Sequence, residues 1–423
     1  MKCYFLSALI YHLIMEGQSA KFNEDIIELL DRGTVDVIDR NHIVERLSRG
    51  EKLRVKLGID PSGTDLHLGH AVVVRKLRQF QLRGHTVVLI IGDWTARIGD
   101  PSGRKETRPQ LTPQEVKANA EKYLSQLSLI LDLHKIEVRW QSEWYDTFTL
   151  QTIIELAAKF TVQQLLQRDD FKERMKAGVD VRYHEPLYCL LQGYDSVAVK
   201  ADLELGGNDQ LFNLLKGREV QAWYQQPMQD VLTMPLLIGL DGVQKMGKSL
   251  NNYIALADAP RDMYGKIMSL PDELIIHYFT LTTDLPLFEI HAIEEQLKKG
   301  KANPRDLKSR LAREVIALYH GLARAQEAEA EFVRVFRDHE LPEDMAEVAL
   351  TMATWRPDEL LVALHLVSSK AEAQRVIGQK GMRCAGVIIK DWKQAVTVKD
   401  GDVVQVGKRR YAKVMISQGR NSF

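Results

Sequence analysis

Two short apolar runs, each closed by an aspartate, restrict this chain more than anything else in it: LRVKLGID (53–60) and TVVLIIGD (86–93). Runs of this length, rich in Val, Ile and Leu and ended by Gly and Asp, fit strands buried on both faces. Between them, from about 67 to 82, apolar residues return at helical spacing. A strand, a helix and a strand in that order predict a parallel βαβ unit with a right-handed crossover. The alternation continues with a helix near 113–131, a strand at IEVRWQS (136–142) and helices across 149–166, 169–177 and 185–194. Two more strands are expected in VAVKADLELGG (197–207) and VLTMPLLIGL (231–240). The expected result is an α/β domain over 36–256, a Rossmann-like parallel sheet whose ligands sit beyond the carboxyl ends of its strands.

A chain of 423 residues is too long for one ordinary core. After an N-terminal segment (1–35) and the sheet domain, the strand signal disappears over 257–340, where charged Ala/Leu-rich text predicts an α-helical domain. LPEDMAEVALTMATWRP (341–357) reads as a linker, and 358–423 as a small α+β domain. The net charge of zero hides a split, because 368–423 carries twelve Lys/Arg against four Asp/Glu, which is +8, leaving −8 elsewhere. Such a basic tail interleaved with strand-like residues points to a nucleic-acid partner. Three widely spaced cysteines, Cys3, Cys189 and Cys384, give neither a disulfide framework nor a metal pair, which fits a reducing cytoplasm. The opening MKCYFLSALIYHLIMEG resembles a signal peptide but has no clear small-residue cleavage site, so Met15 is the expected true start. No later run reaches the roughly 18 apolar residues that a membrane span needs.

Chemistry concentrates in two places. PSGTDLHLGH sits where the first strand turns into the helix, and His67 and His70 flank Gly69 there. Unpaired amides and the positive dipole end attract anions, the glycine lets a ligand approach, and two imidazoles add donors. Alone, H-x-G-H is equally a pair of solvated or metal-binding histidines. QKMGKSLNN places Lys245 and Lys248 around Gly247 after the last expected strand. Lysines there can reach a polyphosphate and stabilise charge developing at phosphorus, although one lysine-bearing loop by itself is ordinary surface. A third set lies in YCLLQGYD, where Tyr188, Gln192 and Asp195 share one helix face, and GGNDQLFN adds Asp209 and Gln210.

Together, H-x-G-H at the first strand–helix turn and K-M-x-K-S about 180 residues later resemble the signature of class I aminoacyl-tRNA synthetases. With YCLLQGYD, GGNDQLFN and IGDPSGRKETR, the chain from about Asp36 onward resembles the tyrosyl-tRNA synthetase family, in its bacterial branch with an S-four-type RNA-binding tail. SSKAEAQRVIGQKGMRCAGVII matches the entry to that tail.

The resemblance implies a ligase that activates L-tyrosine with ATP and its Mg2+, then transfers it to the terminal adenosine of tRNA(Tyr). It implies a cytoplasmic homodimer, with the helical domain at the anticodon, and neither a structural metal nor a membrane; the helices over 149–166 of the α/β domain are the expected place of pairing, which nothing in the sequence itself marks. By the family pattern, His67, His70, Lys245 and Lys248 hold the ATP phosphates, assisted by Arg104 and Arg108. Asp60, Ser62, Gly69 and Ser249 line the nucleotide, Gly207 and Asp209 touch the ribose, and Leu237 and Ile238 flank adenine. Tyr188, Gln192 and Asp100 hold the α-amino group, Gln210 lies near the carboxylate, and Asp195 accepts from the phenol. Lys56 stands where many members have a second, phenol-contacting tyrosine, and Gly247 where the class I loop has serine. The other readings are a tryptophanyl-type synthetase, disfavoured by Asp195 and the tail, a small-molecule nucleotidyltransferase, and an RNA-binding paralogue without activity.

Overall fold

The computed structural model describes residues 24–63, 65–102, 111–336, 345–407 and 410–416. The expected start at Met15, and Arg104 and Arg108, lie outside the described residues. The described residues fall into two compact units, divided between Gln326 and Glu327.

The first unit is built on a six-stranded sheet of β1 (Asp36–Ile38), β2 (Arg54–Ile59), β3 (Thr86–Ile91), β4 (Glu137–Trp140), β5 (Leu203–Gly207) and β6 (Asp230–Met234). Their spatial order is β1-β6-β5-β2-β3-β4. All neighbours are parallel except β1, which lies antiparallel along the edge of β6. Helix α1 (Leu68–Leu82) makes the crossover from β2 to β3, so the βαβ unit read from the sequence is present. Strand order reverses at β2, which has β3 on one side and β5 on the other, and residues after their carboxyl ends therefore meet in one crevice.

Two sequence expectations shift. Val197–Val199 belongs to helix α2 (Leu187–Val199) and not to the following strand. Val197 and Val199 are buried, and the helix stops at Lys200, which turns left-handed with φ 52°. The last parallel strand is also shorter than VLTMPLLIGL, because Pro235 has no N–H to continue the ladder after Met234. Helix α3 (Leu211–Trp223) packs along α2. After the sheet come helices, as expected, among them α4 (Ile275–Thr282) and Pro304–His320.

The second unit holds a five-stranded sheet over the helices Pro357–Ala363 and Lys370–Gly378, with a core that includes Leu360, Leu361, Ile377, Met382 and Val404. The stretch read as a linker contributes a strand, Ala346–Leu350, which runs parallel to Arg410–Ile416 at the sheet edge. Only Leu350 of it is buried, so it offers no alternating pattern to read.

A candidate nucleotide and amino-acid site at the strand ends

The two phosphate motifs are joined by backbone. Leu68 N–H donates to the Ile254 carbonyl (3.0 Å) and Leu256 N–H to the Leu66 carbonyl (2.9 Å), with His67 paired antiparallel to Ala255. The turn into α1 is thus fixed against the segment that follows QKMGKSLNN. Lys248 opens a short 3-10 turn, and its ammonium lies 3.1 Å from where a Cβ on Gly63 would stand. His67 is the N-cap of α1 and 7% exposed. Burial, and then the charge of Lys248, bring its imidazole down to about 4, so it is neutral at physiological pH. Its Nδ1 is buried with no hydrogen-bond partner, which a ligand could satisfy. His70 is exposed, and its Nδ1 accepts from the His67 N–H at 3.2 Å. That acceptance leaves the proton on Nε2, making His70 a donor.

Lys245 sits on a braced strap. Met246 N–H donates to the Leu237 carbonyl (2.7 Å), Gly239 N–H to the Gln244 carbonyl (2.8 Å), and Ile238 pairs with Lys245. Asn252, 4% exposed, holds the strap from inside: its Oδ1 accepts from Gly247 N–H (2.8 Å) and its Nδ2 donates to Asp241 (2.6 Å) and to the Lys245 carbonyl (3.2 Å). From α4, the Tyr278 hydroxyl donates to the Ile238 carbonyl at 2.5 Å. The Lys245 ammonium meets Asp209 at 3.0 Å, just beyond β5. Ser249 and Ser62 are exposed at the same rim.

On the amino-acid side a hydrogen-bond chain crosses the ends of β2, β3 and β4. The Tyr188 hydroxyl donates to Asp60 Oδ2 (2.9 Å), and the Thr95 hydroxyl lies 2.7 Å from Asp60 Oδ1. Gly92 permits this approach, since a Cβ there would stand 2.2 Å from Asp60 Oδ1. Gln141 Oε1 accepts from Thr95 N–H (2.9 Å), and Gln141 Nε2 donates to Asp195 Oδ2 (2.7 Å). Asp195, 2% exposed, also takes Trp144 Nε1–H (3.1 Å) and faces the Tyr145 hydroxyl (2.9 Å), which itself reaches the Leu191 carbonyl. Burial raises the Asp195 carboxyl to about 7, against the pull of Lys56.

Lys56 is 0% exposed. Its ammonium pairs with Glu204 (2.9 Å), Ser196 Oγ (2.9 Å) and the Gln192 carbonyl (3.2 Å). Where many members have a phenol-contacting tyrosine, this chain has a cation enclosed by protein partners; what reaches the pocket is its field at Asp195 and a fixed Gln192 backbone. Gln192 Nε2 lies 3.3 Å from Glu204, and its Oε1 is buried without a partner. Asp100 accepts from Gln210 Nε2 at 2.7 Å. Gly207 leads from β5 into Asp209, whose Oδ1 lies 2.8 Å from the position of a Gly207 Cβ. Gly69 packs against the His67 ring.

Against known proteins, the model of tRNA synthetases class I (W and Y) matches residues 48–337. The tyrosine–tRNA ligase of Dehalococcoides mccartyi is 50% identical over 92% of this chain and 98% of its own, and that of Thermotoga maritima 50% over 92% and 97%. The chain belongs to the tyrosine–tRNA ligase family of class I tRNA synthetases. A mitochondrial tyrosyl-tRNA synthetase of Aspergillus nidulans has the same fold, with a TM-score of 0.62 at 22% identity over 76% of this chain and 99% of that one. Tryptophanyl-tRNA synthetase of Plasmodium falciparum also shares it, at 0.56 and 15% over 74% and 89%. Fold alone therefore does not choose between the two amino acids.

Within this member of the family, sequence reading missed the residues that hold others in place: Thr95, Gln141, Arg168, Asn213, Asp241 and Asn252. Asn252 lay in plain view in KSLNN. Gln141 and Arg168 carry no local signal, because their partners come from distant segments.

Proposed function

We propose that this chain performs tyrosine activation and transfer with the residues described above, and that one observation carries the reading: a phosphate grip and a buried polar pocket open on the same crevice. ATP, with its Mg2+, lies with its phosphates toward His67, His70, Lys245 and Lys248, its ribose at Gly207 and Asp209, and its adenine by Leu237 and Ile238. Asp60, Ser62, Gly69 and Ser249 complete the nucleotide side. The tyrosine α-amino group faces Tyr188, Gln192 and Asp100, and its carboxylate lies by Gln210. The carboxylate attacks the α-phosphorus, pyrophosphate leaves, and a ribose hydroxyl of tRNA(Tyr) then takes the tyrosyl group. No residue has to act as a covalent nucleophile. Alignment and charge stabilisation by fixed donors lower the barrier.

Asp195 closes the pocket. Above its raised pKa of about 7 Asp195 is a carboxylate with about four lone-pair sites, and three are faced by Gln141, Trp144 and Tyr145, so one remains for the phenol hydroxyl. Phenylalanine would leave that acceptor unpaired and is disfavoured accordingly.

The exposed cations Arg375, Lys380, Arg383, Lys390, Lys393 and Lys399 of the second unit suit RNA phosphates. A cavity of about 500 Å³ lined by Trp94, Tyr145, Phe148, Leu150 and Ile153 contains none of the substrate residues. Its rim continues into the exposed Leu150, Ile154 and Val162, an apolar face that suits pairing of two copies around 149–166. Among the described residues no helix is long and apolar enough to cross a membrane.

The test is ATP–pyrophosphate exchange without tRNA, run with each of the twenty amino acids. Exchange with tyrosine alone is expected. Exchange with tryptophan would overturn the assignment of Asp195, and exchange with none would return the RNA-binding reading.

A further inference from the structure

We propose that Arg168 is a positioning residue which, through Asn213, sets the orientation of Gln210 and Asp100 toward the amino acid. The inference rests on the placement of those two groups in the preceding reading.

Arg168 is 4% exposed and immediately precedes the helix Asp169–Lys176. Its guanidinium lies over the rings of Phe171 and Phe212, 5.3 and 5.4 Å from their centroids. Nη1 donates to Asn213 Oδ1 (2.6 Å), and Nη2 donates to Ser102 Oγ (2.8 Å) and Asp170 Oδ2 (2.8 Å). Asn213 Nδ2 donates in turn to Gln210 Oε1 (2.9 Å), and Gln210 Nε2 to Asp100 Oδ2 (2.7 Å). The other Asp100 oxygen accepts from Ser102 N–H at 2.9 Å, so the ring closes on the serine that Arg168 already holds.

The order of these bonds follows from what each group can do. A guanidinium only donates and an ionised carboxylate only accepts, whereas a carboxamide has one donor end and one acceptor end. Arg168 therefore compels Asn213 to present its oxygen to it and its NH2 to Gln210. Gln210 must then turn its oxygen to Asn213 and its NH2 toward Asp100. Both amides are polarised in one direction, and neither can flip without leaving two donors or two acceptors face to face. The consequence for substrate is chemical: Gln210 shows N–H to the crevice, which a carboxylate needs, and Asp100 is held in line to meet an ammonium.

A merely structural arginine would brace the segment before Asp169–Lys176 without selecting that polarity. Asn213→Asp separates the two roles, since it keeps an acceptor for Arg168 but removes the donor to Gln210. In tyrosine-dependent pyrophosphate exchange, Asn213→Asp is expected to raise the tyrosine KM about tenfold or more while the ATP KM stays near wild type, with the lower melting temperature that losing one buried donor brings. Arg168→Lys keeps the charge but loses the fork, and should move the same constant in the same direction. A wild-type tyrosine KM in Asn213→Asp, or equal rises in the tyrosine and ATP KM values, would overturn the proposal. Wild-type exchange with an amino acid other than tyrosine would sink the substrate reading alone. The variants would then be scored with that amino acid, because every amino acid carries the two groups concerned.

Discussion

The proposed nucleotide half and the proposed amino-acid half of the crevice are built on opposite plans. His70, at the start of α1, and Lys245 and Ser249, after the last strand of the sheet, stand exposed, while Asp195, Lys56 and Arg168 are enclosed and tied to several partners each. A polyphosphate is large and highly charged, so point charges on short loops can hold it in water. A small amino acid must be told from near copies, which requires acceptors and donors whose directions are already set. The comparison teaches that the exposed side chains of the first half should tolerate substitution as a fold and fail as a catalyst, whereas the enclosed ones of the second should fail as both.

The largest contrast is between Lys248→Ala and Asp195→Ala. The lysine variant should lose about 10²–10³ in exchange kcat with an unchanged melting temperature. The aspartate variant should lose activity together with stability, since each donor left unpaired costs roughly 1–3 kcal/mol; thermal melts beside exchange assays decide. A melting temperature lowered equally in both would erase the distinction between the halves.

Next comes pH. The Asp195 carboxyl is raised to about 7, above its unfolded value near 4, so the native state binds the extra proton between these limits. Its contribution to stability is therefore fully present at low pH and is lost as pH rises through that window, at up to about 1.4 kcal/mol per pH unit. Asp195→Asn should flatten this slope in denaturant titrations at pH 4.5 to 8. His67, brought down to about 4, should add no inflection to activity between pH 6 and 8.

Gly239→Ala probes the strap. A Cβ there would stand 2.3 Å from Asn252 Nδ2 and 2.7 Å from the Asn252 carbonyl oxygen, so the brace must shift. A cost of about 1–3 kcal/mol and a several-fold higher ATP KM are expected, with the tyrosine KM unmoved. The smallest effect is reserved for Tyr278→Phe, which removes one hydrogen bond to the Ile238 carbonyl, worth about 1 kcal/mol, and keeps the buried ring. Its ATP KM should rise a few-fold in the same assay.

The same division explains what the sequence disclosed. The residues proposed to hold phosphate cluster in two short stretches, because a turn at a strand end needs only a few consecutive residues, and both stretches were legible. So was the βαβ unit, whose strands are buried along most of their length. The pocket showed its face in YCLLQGYD but not its supports: Gln141 reaches Asp195 across 54 positions, and Arg168 reaches Asn213 across 45. Lys56 was visible as a departure, yet its partner Glu204 was not, since no local pattern links the two. Boundaries slipped where patterns were ambiguous, as at Val197–Val199, apolar enough for a strand, and at Ala346–Leu350, too exposed to look like one.

The backbone pairing of Leu66 and Leu68 with Leu256 and Ile254 has a consequence for the order in which the molecule comes into being. During synthesis from the amino end, the two histidines emerge early, but the residues that fix them arrive only after the last strand of the sheet. A chain interrupted before Ile254 carries one motif without its anchor. Nucleotide affinity should accordingly arise only once Ile254 and Leu256 are in place, so copies interrupted before them are expected to bind no ATP.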